Sequence, residues 1–393
     1  MTGPKKAPGT LEALLAAKEI AIVCGPGGVG KTTVAAAAAA MAASRQGGKV
    51  LVLTVDPARR LASALGLSPA RVGAQRVPAS AFARAGSTRR GELWAEMLDT
   101  KWSWDRLVTH HAPDPVTAQR ILDNPLYQNI SGRFVQSHDY IAVDRLYELH
   151  SQGAYDLIVV DTPPTRNAID FLLAPERMAD FFSSRLLRLL TVPYRSRFAD
   201  MASRPFYHAA DRILGSQFLQ DKAEFFILFQ TLSEGFVARA EEVQRLLADR
   251  RSTFIVVSTL ETVPVREAET FMRLLPAKGF HLGGLVFNRV LPAYLLSPGL
   301  APRAARLCEK AGELASALCA EEGPLRGAPP SLVERVLQEV GTNFNNIGLV
   351  ARREASQRSE LSSLPSVVVS VPEMEEDVHD LEGVLALGRH IWS

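Results

Sequence analysis

The chain has few cysteines, no long apolar run and almost no net charge. Its 393 residues include three cysteines, Cys24, Cys308 and Cys319, too few for a disulfide framework, which indicates a reducing compartment. No stretch is apolar over the length needed to span a bilayer, and the N-terminal segment has no apolar signal core. We therefore expect a cytoplasmic protein.

The charge balance and the metal-binding residue types exclude further classes. The formal net charge is +2, and Lys and Arg are dispersed rather than gathered in blocks, so nothing indicates nucleic-acid binding. The eight histidines show no ligand spacing, and ten residues separate Cys308 from Cys319, too many for a zinc-binding pair. The 47% hydrophobic content is that of a globular protein with a large core.

A phosphate-binding loop is the strongest feature that the sequence does contain. The pattern Gly25-x-x-x-x-Gly30-Lys31-Thr32 follows an apolar segment and precedes the strong helix former TTVAAAAAAMAA. The glycines let the backbone turn tightly, so that successive N–H groups and the helix N-terminus can bind an anion. Lys31 supplies a charge to the terminal phosphates, and the Thr32 hydroxyl can bind Mg²⁺.

Six short, continuous apolar segments predict strands that are buried on both faces. They are Glu19–Cys24, Lys49–Val55, Asp156–Val160, Thr253–Val257, Leu282–Phe287 and Ser366–Val371. Helical patterns separate them, which predicts an α/β class: a three-layer P-loop fold with a mainly parallel sheet. Asp56 to Asp156 and Asp161 to Thr253 each hold roughly a hundred residues of mostly helical pattern, more than a crossover needs. We predict one P-loop domain over 1–393, with a helical subdomain from insertions at about 95–150 and 172–248.

Polar residues follow several predicted strands, where ligands bind in open α/β sheets. Asp56 ends the second strand and could orient an attacking water, and Asp161 ends the third and could hold Mg²⁺ through a water. Any one such aspartate could instead cap the next helix. The stiff segment Thr162–Thr165 suits a loop that changes with the γ-phosphate, and the Asn288 amide suits the edge of adenine.

Four segments in order, GPGGVGKTT, VDPARRLA, DTPPTRNAIDFLLAP and STLETVPVREAETF, carry a family resemblance. Together they resemble the arsenical-pump ATPases (ArsA) and the ATPases that guide tail-anchored membrane proteins. The resemblance covers nearly the whole chain and is closest to the bacterial anion-transporting-ATPase-like branch. It implies a Mg²⁺-dependent ATPase that binds ATP and works as a nucleotide-gated dimer.

The resemblance also implies roles for single residues. Lys31, Asp56 and Asp161 would be catalytic, with Asp56 activating water, and Thr32, Asp56 and Asp161 would hold Mg²⁺, partly through water. Asn288 matches an adenine-binding asparagine, and Glu261 matches a glutamate of the nucleotide site. The remaining nucleotide contacts would come from the phosphate loop and from the start of an adenine loop: Gly25, Pro26, Gly27, Gly28, Val29, Gly30, Lys31, Thr32, Thr33, Pro372 and Glu373.

The chain departs from the family at Pro26, where relatives usually have a lysine that reaches the partner subunit's phosphates. Proline has neither charge nor N–H. Arg59, Arg60 or Arg166 could supply the missing charge, with Arg166 our first hypothesis. Alternatively, the chain pairs with a homologous subunit that carries the lysine, so homodimer and heterodimer both stay open.

The sequence leaves open what such an ATPase would act on. Ten of the 17 phenylalanines lie between Phe171 and Phe236, and apolar residues recur there at helical spacing: Phe218, Phe225, Leu228, Phe229, Leu232, Phe236, Val243 and Leu247. This stripe is either core or, as in targeting relatives, part of a groove for a hydrophobic client such as a membrane-protein helix, with peripheral membrane contact. The alternatives are the energising subunit of an anion or metalloid pump, which the scattered cysteines disfavour, and a weakly active subunit.

Overall fold

A computed structural model describes residues 9–55, 60–68, 72–125, 127–128, 137–162, 172–177, 180, 228, 231–374 and 376–392. Eight strands form one sheet: β1 (Ile20–Cys24), β2 (Lys49–Thr54), β3 (Gln75–Arg76), β4 (Glu92–Met97), β5 (Leu157–Asp161), β6 (Ser252–Ser258), β7 (Leu282–Val290) and β8 (Val367–Pro372). Their order across the sheet is β3-β4-β2-β5-β1-β6-β7-β8. Every pairing is parallel except that of the edge strand β3 with β4.

Helices cover both faces of this sheet. The principal ones, in chain order, are α1 (Leu11–Ala16), α2 (Lys31–Arg45), α3 (Arg60–Leu65), α4 (Ala79–Arg84), α5 (Thr100–His111), α6 (Pro115–Asp123), α7 (Ser137–Ser151), α8 (Ser233–Ala248), α9 (Thr262–Ala277), α10 (Leu300–Glu309), α11 (Ala311–Cys319), α12 (Pro330–Leu361) and α13 (Leu381–Trp392). A short 3₁₀ helix, Ala293–Leu296, precedes α10. The predicted three-layer α/β P-loop fold is confirmed.

The strand order places the phosphate loop in the crevice of the sheet. After β1 the chain crosses to β2 on one side, whereas β6, β7 and β8 extend the sheet on the other side. Ligands of open α/β sheets bind where the order reverses in this way, outside the carboxyl ends of the strands. The loop between β1 and α2 therefore starts at the centre of the ligand-binding edge.

Two main cores form, one on each face of the sheet. One contains α1, α2 and α13, where the run Ala35–Ala40 is fully buried because its small side chains let α2 lie close to its neighbours. The other contains side chains of α7, α8 and α9. A third, smaller cluster joins α5, α6, α7 and α8 around Trp104, Tyr140 and Phe236, whose rings are tilted against each other.

All six predicted strands are present, with ends that differ by at most three residues from the predicted ones. The described residues between Asp56 and Asp156 are mostly helical, as predicted, but the interval also contains β3 and β4, which were not predicted. The sequence of β4, ELWAEM, does not indicate a buried strand, because Glu96 interrupts the apolar pattern. Glu96 is nevertheless buried, and it forms an ion pair with Arg145 of α7.

A helical hairpin made of α10, α11 and α12 (Leu300–Leu361) separates β7 from β8, and the sequence did not reveal it. The predicted loop Glu321–Ser331 lies between α11 and α12, although α12 already begins at Pro330. Within the hairpin, α10 and α11 pack along α12. An apolar stripe on α12 remains exposed, and it consists of Leu332, Val336, Val340, Phe344 and Ile347.

The described members of the phenylalanine-rich stripe are core residues. Leu228, Leu232, Phe236, Val243 and Leu247 are all buried. Phe218, Phe225 and Phe229 lie outside the described residues. For the five described residues the structure therefore favours the core interpretation over that of a groove lining.

Candidate active site

Glycine determines the shape of the loop between β1 and α2. Gly25, Gly28 and Gly30 have φ values of +142°, +78° and +92°, which side chains with a Cβ rarely adopt. A Cβ at Gly25 would lie 2.1 Å from the carbonyl oxygen of Val257, and one at Gly30 would lie 2.3 Å from Nδ2 of Asn288. The loop therefore packs directly against the ends of β6 and β7.

The N-terminus of α2 is suited to bind an anion. Its N-cap is Gly30, no side chain caps the helix, and its first turn contains no acidic residue. The first N–H groups of a helix lack partners within the helix, and the helix dipole adds positive potential there. Together with the glycine conformations of the loop, this arrangement fits the phosphates of a nucleotide.

Lys31 and Pro26 interact across the loop. The Lys31 ammonium is almost fully buried and donates a hydrogen bond to the Pro26 carbonyl oxygen, with Nζ and O 2.8 Å apart. Pro26 cannot donate an N–H or carry a charge, but its carbonyl holds the ammonium over the loop. The Lys31 ammonium therefore lies over the loop between β1 and α2.

Asp161 is fixed at the end of β5. Its side chain is fully buried, and the Thr54 hydroxyl of β2 donates to its Oδ2 at 2.8 Å. The next residue, Thr162, donates through both N and Oγ1 to the Val23 carbonyl oxygen of β1, at 3.2 and 3.0 Å. These bonds hold β5 beside the strand that leads into the loop. A carboxylate at this edge fits Mg²⁺, which prefers oxygen ligands and retains waters.

Asn288 joins the end of β7 to the loop. Its side chain is buried, and Nδ2 donates to the Val29 carbonyl oxygen at 2.9 Å. The predicted role in adenine binding uses the same amide, which has a second hydrogen and an acceptor oxygen. Sequence reasoning did not reveal the bond to the loop, because residue types alone do not show which carbonyl an amide contacts.

A cleft of about 870 Å³ opens over the loop at this edge. The predicted site residues that line it are Gly28, Gly30, Lys31, Thr32, Thr33, Asn288, Pro372 and Glu373. The structure adds Thr162 of the predicted stiff segment Thr162–Thr165, and it also adds Arg289, Asp377 and His379, which the sequence did not indicate. Residues from the loop, from β7 and from the segment after β8 therefore meet in one cavity.

Other predicted site residues do not line this cleft. Glu261 is an exposed residue at the N-cap of α9. Burial raises the pKa of Glu354, and the nearby charges of Glu373 and Glu261 raise it further, so Glu261 lies near Glu354. Asp56, Arg59 and Arg166 lie outside the described residues, as does the side chain of Arg60.

The fold and the loop define the class of the protein: it has the α/β fold of the P-loop nucleotide hydrolases. A model of the anion-transporting ATPase family, ArsA, matches residues 18–79 and 130–298, which is more than half of the chain. The chain belongs to this family of ATPases. The matched ranges stop before the helical hairpin that begins at α10.

Individual relatives agree with this membership. A protein of Streptomyces coelicolor described as uncharacterised is 32% identical over 277 residues, which cover 69% of this chain and 62% of the relative. A protein of Aquifex aeolicus named arsenical pump-driving ATPase 2 is 24% identical over 278 residues, covering 68% of this chain and 79% of the relative. One of Chlorobaculum tepidum named arsenical pump-driving ATPase is 23% identical over 279 residues, covering 68% and 60%. The match thus spans less than two thirds of the Streptomyces and Chlorobaculum proteins.

The described residues contain neither a helix that could span a membrane nor a cluster of side chains that could hold a metal ion. No helix in the described ranges combines the length and the apolar character needed to cross a membrane. Within the same ranges, no group of three or more His, Cys, Asp or Glu side chains is arranged to hold a metal ion.

Proposed function

We propose that the chain binds Mg·ATP in the cleft and hydrolyses it. The observation that carries this proposal is the convergence of Lys31, Thr32 and Thr33 with Asn288 and Pro372 around one cavity. The cavity volume lies within the range of small-molecule sites. The glycine conformations fit phosphate, and the strand-end amide fits a base.

The residues act mainly by positioning and by charge, as in other phosphoryl-transfer sites. The N–H groups of the loop and of the first turn of α2 bind phosphate oxygens. Lys31 exchanges its hydrogen bond with the Pro26 carbonyl for a stronger one with an anionic phosphate oxygen. Thr32 and Asp161 would hold Mg²⁺, and the bound ion would neutralise charge on the phosphates. We assign the orientation of the attacking water to Asp56, as the family resemblance implies.

We further propose that ATP binding and hydrolysis close and open a dimer that binds a hydrophobic client, such as a membrane-protein helix. The exposed apolar stripe of α12 supports a partner with apolar surface, since exposed patches of this kind often mark interaction sites. The buried residues Leu232 and Phe236 do not contribute to such a surface.

A pump for a metalloid is the second candidate, because two of the relatives are named arsenical pump-driving ATPases. The cysteines of this chain oppose it. Cys24 is buried at the end of β1, and burial raises the pKa of its thiol, which opposes formation of the thiolate that binds metalloids. Cys308 and Cys319 lie on α10 and α11 without a third thiol.

The test is steady-state ATP hydrolysis as a function of protein concentration, with mass photometry on the same samples in the presence and absence of Mg·ATP. We expect hydrolysis that rises steeply with concentration and an ATP-dependent dimer. Lys31→Ala is the control for activity that originates in the cleft. A monomer that binds ATP and barely hydrolyses it would contradict the homodimer and point to a partner that carries the lysine absent at Pro26.

A separate experiment tests whether the protein binds a hydrophobic client or responds to a metalloid. We expect a hydrophobic peptide to co-purify with the protein and to be released upon ATP hydrolysis. Stimulation of the ATPase by arsenite or antimonite, without binding of such a peptide, would instead support the pump.

A further inference from the structure

Arg289 has an unusual backbone conformation next to the proposed nucleotide site. Among the described residues it is the one non-glycine residue with a positive φ, +58°, a region that side chains with a Cβ seldom occupy. It directly follows Asn288, whose amide is bonded to the phosphate loop. Such outliers persist where the surrounding structure requires them, and they are frequent at functional sites.

The conformation explains how two neighbouring residues line the same cleft. In a regular strand, Asn288 and Arg289 would point to opposite faces of the sheet. Both line the cavity over the loop, and the pairing of β7 with β8 shifts register between Phe287 and Val290. A bulge of this kind redirects a side chain, so the kink places Arg289 on the side of Asn288.

The charges that line the cleft favour an anion beside Arg289. Lys31 and Arg289 are the permanently charged cations among the described lining residues, whereas Glu373, Glu376 and Asp377 are acidic. Without Arg289, three carboxylates and a single ammonium would face a ligand that is itself negatively charged. Arg289 therefore supplies a positive charge in a part of the cleft where carboxylates predominate.

The guanidinium is also available for a ligand. In the described part of the chain, Arg289 makes no ion pair and no side-chain hydrogen bond, even though Glu373 and Asp377 line the same cleft. A guanidinium offers five N–H donors to phosphate and ribose oxygens and a flat face to a base.

We propose that Arg289 binds the nucleotide directly, on the base side of the phosphate loop, next to Asn288. This inference rests on the proposed nucleotide site and adds to it a contact residue that does not belong to the loop. Because the contact lies away from the γ-phosphate, it should contribute equally to the binding of ATP and ADP.

The test compares the binding of Mg·ATP and Mg·ADP to the full-length wild type, Arg289→Ala, Arg289→Gly and Arg289→Lys by isothermal titration calorimetry. Loss of one charge-assisted contact predicts about a tenfold weaker affinity for both nucleotides in the alanine and glycine variants, with part of it retained by lysine. Arg266→Ala is the matched control, since Arg266 is an exposed arginine of α9 that does not line the cleft. It should bind both nucleotides like the wild type.

The glycine variant separates binding from folding. Glycine adopts a φ of +58° without strain, so unliganded Arg289→Gly should melt close to the wild-type temperature. If the wild type binds and the variants bind equally well, the inference about Arg289 is wrong while the proposed function stands. A loss confined to ATP would place the contact at the γ-phosphate and overturn the base-side assignment. A wild type that binds neither nucleotide would overturn both proposals.

Discussion

Replacing either partner of the Glu96–Arg145 pair should destabilise the protein much more than replacing both. The Arg145 guanidinium of α7 donates to both carboxylate oxygens of Glu96 on β4, at 2.7 Å from Nε and 3.1 Å from Nη2. The two side chains are 9% and 2% exposed, respectively. Arg145 also donates to Glu148 through Nη1 at 2.6 Å, so the guanidinium keeps one partner when Glu96 is replaced.

The magnitudes follow from this geometry. Removing one partner of a buried ion pair costs about 3 to 5 kcal/mol of unfolding free energy, because a charge stays buried without compensation. Arg145→Met should reach about 4 kcal/mol, since it leaves the buried Glu96 carboxylate behind. Glu96→Leu should cost about 2 kcal/mol, because Glu148 still pairs with the guanidinium. The double variant carries neither charge and should lie within about 1 kcal/mol of the wild type, which gives a coupling energy of about 5 kcal/mol.

Urea unfolding of the four proteins provides the measurement, followed by far-UV circular dichroism and by tryptophan fluorescence. Coincident transitions from the two probes are needed for a two-state analysis. The surface pair Glu269–Arg273 of α9 is the matched control, because its side chains are 41% and 66% exposed. Its disruption by Arg273→Met should cost less than about 1 kcal/mol.

The reasoning would be refuted if the double variant lost as much unfolding free energy as the two single variants together. This result would mean that Glu96 and Arg145 stabilise the fold independently, through packing rather than through their mutual charge. The reasoning would equally be refuted if the single variants lowered the free energy of unfolding no more than Arg273→Met does. The remaining buried charge would then be compensated by other groups.

Three further outcomes are expected. Gly25→Ala should abolish nucleotide binding, measured by calorimetry, because its Cβ would lie 2.1 Å from the Val257 carbonyl oxygen; Gly28→Ala meets no atom within 4 Å and should retain more affinity. Asn288→Asp should weaken ATP binding more than Asn288→Ala, because it places a carboxylate against a loop carbonyl where an amide now donates. Burial raises the pKa of Asp144 to about 6, so its contribution to stability is present below its ordinary pKa and is lost as the pH rises through 6. Asp144→Asn should therefore gain stability relative to the wild type between pH 4 and 7, by up to about 3 kcal/mol in urea titrations, and a pH-independent difference would contradict the raised pKa.

Local patterns sufficed to predict the loop and the six apolar strands. The phosphate loop depends on glycines and a lysine at fixed spacing, and the parallel strands are continuous apolar runs because both of their faces are buried. Each signal is contained within about ten residues, and no distant residue is needed to interpret it.

The strand β4 could not be predicted in this way, because its partner is distant in sequence. A glutamate such as Glu96 is not expected in a buried strand unless its compensating charge is known, and Arg145 lies 49 positions further along the chain.

The helical hairpin was missed for a different reason. The exposed stripe of α12 gives the sequence the polar and apolar mixture of an ordinary surface helix, which does not reveal where the helix attaches to the fold.

Several residues that line the cleft were named from sequence motifs, but the contacts of these residues were not predicted. Gly28, Lys31 and Asn288 line the cleft as their motifs indicate. The bond from Lys31 to the Pro26 carbonyl and the left-handed backbone of Arg289 depend on loop and bulge geometry, which strand alternation does not encode. Asp56, the predicted water-orienting residue, lies outside the described residues.

The helical hairpin connects β7 and β8, the two strands whose ends carry Asn288 and Pro372. A movement of these strand ends would therefore also move the hairpin. Near its base, Glu354 accepts a hydrogen bond from the Leu291 backbone N–H, just beyond β7, while Leu361 is buried in the core. From Glu354 back to Pro330, α12 is about 36 Å long at 1.5 Å per residue. A rotation of about 5° at the base would displace the far end by about 3 Å. If the hairpin follows β7 as a rigid body, a small movement of the cleft wall at β7 would therefore be larger at the far end of α12.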